Sequence, residues 1–182
     1  MRWERLFEDL AAQVHAASDR DLDAEVADRT RRERALLSLQ GRLAAQPPDG
    51  ALTAVVAGLG TVEAVVADVG ADWLLLAGPG ERRTLVPLAA IRSITGLRGR
   101  VGPVSAVVRG FTLAAALRAV SRDRTAVTVV DVDGHRLAGT IDGVGQDAFD
   151  LAEHPLDLPR RPQNVGAVRV LPFAALAALL RD

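Results

Sequence analysis

Apolar and polar positions change their spacing along the chain, and the changes divide it. Trp3, Leu6, Phe7, Leu10 and Val14 recur at helical intervals, with Arg2, Glu4, Arg5, Glu8 and Asp9 on the other faces, which predicts an amphipathic helix. Ser18 with Asp21 three residues on is a variant capping box for a second helix, striped by Leu22, Val26, Leu36, Leu39 and Leu43. Two prolines and a glycine in QPPDG, residues 46 to 50, then end an N-terminal helical region spanning 1–46.

From residue 51 the pattern turns to short Val- and Leu-rich runs punctuated by Gly, Pro and Asp, predicting strands near 52–57, 61–68, 73–77, 82–87 and 91–95. GLRGRVGP is a loop, and FTLAAALRAVSR, with Thr112 as N-cap, is a connecting helix. A second strand-rich stretch runs from Thr125 to Val170, and PFAALAALLRD reads as a C-terminal helix rich in Ala and Leu. The runs AVVADV and WLLLA are apolar at successive positions, so both faces of those strands must be covered, by packing within the chain or by an oligomer interface.

The two strand-rich stretches are copies. VEAVVADVGADWLLLA (62–77) aligns with LAGTIDGVGQDAFDLA (137–152), placing Val69-Gly70-x-Asp72 on Val144-Gly145-x-Asp147. VPLAAI (86–91) matches LPFAAL (171–176) after an insertion in the second copy that contains HPLDLPRRPQNVG. Features present in both copies point to the fold instead of to one active site. Gly70 and Gly145 are accordingly expected in left-handed turns, with Asp72 and Asp147 bonding the turn backbone.

A strand closing on Gly, then Thr-Ile, a turn, another strand and an apolar-x-x-Ala-x-apolar turn resembles the Sm-like family of small five-stranded barrels. The residues that carry this are Gly134 and Gly139 in DGHRLAGTI, AFDLAEH after them, and LVPLAAIRSI in the first copy. The resemblance implies an α+β chain: an N-terminal helical pair (1–46), a first Sm-like or SH3-like barrel (51–101), then a connecting helix, second barrel and C-terminal helix (111–182). It also implies RNA binding. The family's RNA-contacting positions, however, fall here on Gly145, Phe149, Pro87, Leu88 and Ala89, which lack the required chemistry.

Composition narrows the function classes. Cysteine is absent, which excludes disulfides, thiol nucleophiles and thiolate metal sites. Every basic residue is Arg and the net charge is −1, so nucleic acid would need a local arginine patch. The Ala-, Arg-, Gly- and Val-rich usage looks like that of high-G+C bacterial genomes. No apolar run reaches about 18 residues and the start is amphipathic and acidic, so neither a membrane span nor an export signal is expected, and a cytoplasmic location is the simplest one.

Candidate chemistry is sparse. The serines sit in no nucleophile motif, and His15, His135 and His154 are dispersed and read as surface residues. Asp131-x-Asp133-Gly134 lacks the later ligands of a calcium loop and reads as a hairpin turn. GLGTVE (58–63) leads into a strand and fails the dinucleotide fingerprint. Arg29, Arg31, Arg32 and Arg34 are interleaved with Glu25, Asp28 and Glu33, the mark of a solvated helix face. Arg98 and Arg100 in GLRGRVG, with Arg160 and Arg161 in the insertion, remain as recognition-loop residues. The chain is therefore expected to be a non-catalytic interaction or adaptor protein without cofactor, engaging a protein partner or itself through helices. An Sm-like RNA-binding protein using the four loop arginines is the alternative.

Overall fold

The computed structural model describes residues 26, 28–32, 35, 37–97 and 110–181. The chain divides into two compact units, Met1–Ser38 and Leu39–Asp182. In the first, the described residues 26, 28–32 and 35 are helical, and Arg31 bonds the Asp28 carboxylate one turn back. Leu37 and Ser38 are non-helical, so the predicted second helix is interrupted there.

The second unit begins with α1 (Leu39–Ala44), stopped as expected before Pro47, followed by β1 (Ala51–Val56), β2 (Gly60–Val69), β3 (Trp73–Ala77), β4 (Arg83–Pro87) and β5 (Ile91–Thr95). Helix α2 (Leu113–Asp123) starts at Thr112, whose hydroxyl accepts from the Ala115 N–H as foreseen. Then come β6 (Val127–Asp131), β7 (Arg136–Val144), β8 (Ala148–Glu153), β9 (Val168–Pro172) and β10 (Leu176–Arg181). Among the described residues no helix is long and apolar enough to cross a membrane.

The expectation of two separate five-stranded barrels is overturned. All ten strands form one antiparallel sheet in the order β5-β1-β2-β3-β4-β10-β6-β7-β8-β9, so each copy contributes the same strand order and β4 of the first bonds β10 of the second. The C-terminal helix is overturned with it. Phe173–Ala175 is a 3₁₀ turn and Leu176–Arg181 is a strand. Helix propensity favours Ala and Leu, but the segment lies between β4 and β6, and the backbone hydrogen bonds and two-sided burial available there outweigh a weak local preference.

Residues directly opposite across an antiparallel ladder share a face. The row Leu76, Thr84, Leu180, Thr128 faces one side, and the row Leu75, Leu85, Leu179, Val129, Leu137 faces the other. One core lies on the first side, built on Leu43, Leu52, Ala54, Leu74, Leu76 and Val86 with Val130 and Ala178 from the second copy. The other lies on the opposite side, where Trp73 and Leu85 of the first copy join Leu117, Ile141, Phe149 and Leu151. Both faces of β3, β4, β6 and β10 are thus buried, which accounts for the unbroken apolar run WLLLA.

The repeat extends to irregularities. The β2–β3 register shifts between Val66 and Asp68, and the β7–β8 register shifts at the equivalent place between Ile141 and Gly143. The Asp72 carbonyl accepts from the Leu88 N–H as the Asp147 carbonyl accepts from Phe173. Gly70 and Gly145 do not adopt the expected left-handed conformation; among the described residues the positive-φ glycines are 58, 60, 80, 96 and 134. Gly70 is needed for space instead, since a Cβ there would lie 2.0 Å from the Trp73 indole nitrogen. The Asp72 carboxylate also differs from expectation. It accepts from the Leu113 N–H at 2.6 Å, holding the first turn of α2 and not its own turn.

Because Leu85 fills a core belonging mostly to the other copy, Leu85→Ala is expected to destabilise the whole second unit by about 2–5 kcal/mol. Urea unfolding followed by far-UV dichroism and by tryptophan fluorescence should move together; separate transitions for the two copies would contradict a shared core.

Candidate functional site

Three polar clusters and one apolar edge stand out in the second unit. The first cluster lies in a groove of about 440 Å³ on the first face of the sheet, where Thr84 and Thr128 sit in the cross-strand row. Glu63, Arg82 and Arg136 rim it above Leu76 and Leu180. Its charges are mixed, and the hydroxyls in its lining come from Thr61, Thr84 and Thr128.

The second cluster is the β6–β7 turn. Asp131 Oδ1 accepts from the N–H groups of Asp133 and His135, each at 2.9 Å, and Oδ2 lies 2.8 Å from His135 Nδ1. Desolvation pushes the Asp131 carboxyl upward, but the bonds from the His135 main chain and ring and from the Asp133 N–H, with the His135 charge, hold it below the ordinary value of 3.8. Ligand atoms of Asp131, Asp133 and His135 all lie within 4.8 Å of one another. Turn closure accounts for that convergence, in keeping with the hairpin expected from Asp-Gly.

His154 forms the third cluster and corrects the expectation of a surface residue. It is buried, with Nδ1 2.8 Å from the Pro155 carbonyl oxygen and Nε2 2.8 Å from the Thr140 hydroxyl. A carbonyl only accepts, so Nδ1 carries the proton and Nε2 accepts from Thr140. Both ring nitrogens are thereby committed to holding the start of the insertion. His135 is exposed as foreseen, and His15 lies outside the described residues.

Of the four loop arginines, two can be placed. Arg98 and Arg100 lie outside the described residues. Arg160 makes a two-pronged contact with Asp142, Nε to Oδ1 at 2.8 Å and Nη2 to Oδ2 at 2.5 Å, which raises its pKa further and ties the insertion to the β7 bulge. Arg161 is exposed beside it. Of the positions where the Sm-like resemblance puts RNA contacts, Phe149 and Pro87 are buried, Leu88 is half-buried, and Gly145 and Ala89 are exposed.

The apolar edge was missed in the sequence. β9 is an outermost strand of the sheet, with Val168 57% and Val170 68% exposed, and Leu156 and Leu158 of the insertion are exposed as well. Bonds from Glu153 N–H to the Ala167 carbonyl and from Phe173 N–H to the Asp147 carbonyl mark hydrogen-bonded pairs along β8–β9. By alternation, the main-chain groups of Val168 and Val170 point away from β8 toward the open edge. A V-R-V-L run reads as any half-buried strand; only its place at the end of the sheet leaves it open on one side.

Thr140→Val leaves His154 Nε2 buried and unbonded and should cost about 1–3 kcal/mol in denaturant unfolding, whereas Arg160→Ala should cost no more than about 1 kcal/mol. Asp131, with its lowered pKa, contributes stability above its unfolded value that is lost as pH falls through the folded one. The stability gap between wild type and Asp131→Asn should therefore be full at neutral pH and close below about pH 4, as read from urea midpoints. The chain matches no family model, no curated protein and no solved structure.

Proposed function

We propose that the chain is a non-catalytic interaction protein whose docking element is the open β9 edge. The observation that carries this reading is the exposure of Val168 and Val170 on a strand whose outward N–H and C=O groups are unpaired within the sheet. Such a strand is a template for adding a further strand: main-chain bonds supply affinity and alternate side chains supply selectivity. Leu156 and Leu158 of the insertion that precedes β9 are exposed as well. Binding through helices has less support, because the buried side chains of α1 and α2, Leu43 and Leu117 among them, belong to the two cores.

The RNA-binding alternative is weaker on the described residues. Arg160 is committed to Asp142, and Phe149 and Trp73 are core side chains unavailable for stacking on bases.

Selection of octapeptides from a random library against the immobilised full chain is expected to return extended, β-branched sequences. Val170→Pro removes an outward N–H and leaves the β8 ladder intact, so it should weaken those peptides by about tenfold or more with unchanged far-UV dichroism. Binders indifferent to that substitution, or no binders, would set the reading aside.

A further inference from the structure

The chain already joins these two kinds of edge once within itself. At the centre of the sheet β4 meets β10, pairing Leu85 with Leu179, Thr84 with Leu180 and Arg83 with Arg181. The internal repeat identifies the counterparts. β9 pairs with β8 as β4 pairs with β3, Asp150↔Val170 standing for Leu75↔Leu85. β5 pairs with β1 as β10 pairs with β6, Ala54↔Ile94 standing for Val129↔Leu179. The counterparts β9 and β5 are the two outermost strands of the sheet.

Resting on the docking edge proposed above, the geometry points to a second copy of this chain as its occupant, with β5 of one molecule adding antiparallel to β9 of another. The register follows from the internal joint: Val170 opposite Ile94 and Arg169 opposite Thr95. Side chains support it. Leu85 leaves its own copy, enters the core built by the other, and is 6% exposed there. Val170 is the equivalent knob, and Ile94, packed at the rim of the first core, is the equivalent of Leu179. The loop before β3 repeats the point: Asp72 bonds the start of α2, and Trp73 Nε1 donates to the Phe111 carbonyl at 2.9 Å, while the equivalent Asp147 is exposed. Helices α1 and α2 stand alike in their copies, Gln40 donating to the Gly70 carbonyl as Arg118 donates to that of Gly145.

The joint between chains is smaller than the internal one, since Ala148 and Asp150 replace Trp73 and Leu75. Association is accordingly reversible and concentration-dependent. Because the two surfaces differ, the contact is head-to-tail and produces closed rings or open chains instead of a two-fold dimer.

The chain has no cysteine, so an engineered pair is read without background. Arg169 and Thr95 would oppose each other at a non-hydrogen-bonded position, with Cα atoms about 4.5 Å apart, which suits a disulfide. Full-length Arg169→Cys and Thr95→Cys proteins, mixed and oxidised, are expected to give a 95–169 disulfide by mass spectrometry, with no dimer from either alone. Sedimentation of the cysteine-free chain should show growth beyond the monomer, which Val170→Lys shifts to about tenfold higher concentration with unchanged dichroism. Dimers of the Arg169→Cys protein alone would overturn the proposal in favour of β9 pairing with itself; equal assembly by the Val170→Lys protein would overturn it as well. A chain that stays monomeric yet binds selected octapeptides through Val170 overturns the second copy and leaves the docking edge standing; one that does neither overturns both.

Discussion

The ladder between β4 and β10 governs the rest of the molecule. Once those strands lie side by side, each has a face toward each core, and every residue along them must suit an apolar surface on its own side. Leu85 and Leu179 fill one side, and Ala178 and Leu180 pack against the other. Burying a leucine side chain contributes about 1.5–3 kcal/mol, and here the contribution is divided across copies: Leu85 stabilises a core made mostly of residues beyond 112. Neither copy can be removed without exposing apolar surface of the other, so the repeat behaves as one unit of folding.

What the copies hold in common belongs to this framework. The bulge before the β2–β3 and β7–β8 turns, the carbonyls of Asp72 and Asp147, and the 3₁₀ turns ahead of β5 and β10 recur because each copy has the same strand order to close. What differs is concentrated in the second copy. Asp142 stands at the bulge where the first copy has Ala67, and it holds Arg160; His154 leaves β8 and fixes Pro155. Together these contacts tie down the start and the middle of the insertion that leads into β9.

The strands were legible because alternation, β-branched residues and Gly or Pro punctuation are local signals. Thr112 announced α2 as clearly as any residue in the chain. The continuous apolar run WLLLA correctly required two covered faces, yet it did not say what covered them. Strand closure is decided by contacts between residues far apart in sequence, and β4 pairs with β10 across some 90 positions of chain in which nothing local specifies the partner. The final segment misled because Ala-Ala-Leu-Leu favours a helix in isolation, although the match of LPFAAL to VPLAAI already tied it to a strand. Burial of His154 was invisible for a similar reason: its partner Thr140 lies on the adjacent strand. Arg160 read as a free cation because its carboxylate partner lies across the sheet surface.

The two outer strands are not equivalent, and the difference bears on what they do. Open edges are hazards, commonly blunted by charge, proline or irregularity. β5 carries Arg92, Ser93 and Thr95 exposed around a register shift, the irregularity that β10 also carries beside β6 while it pairs with β4. β9 has a proline only at its end, and its Arg169 turns to Glu153 on the opposite face from Val168 and Val170. An edge with apolar side chains and outward main-chain groups on the same residues is costly to leave in water, where each pairing would contribute about 1 kcal/mol net. The first copy shows how such an edge is satisfied, since β4 carries Leu85 at the same position and has a strand beside it. On the docking reading proposed above, a strand arriving from outside would do for β9 what β10 does for β4, covering Val170 as Leu85 is covered.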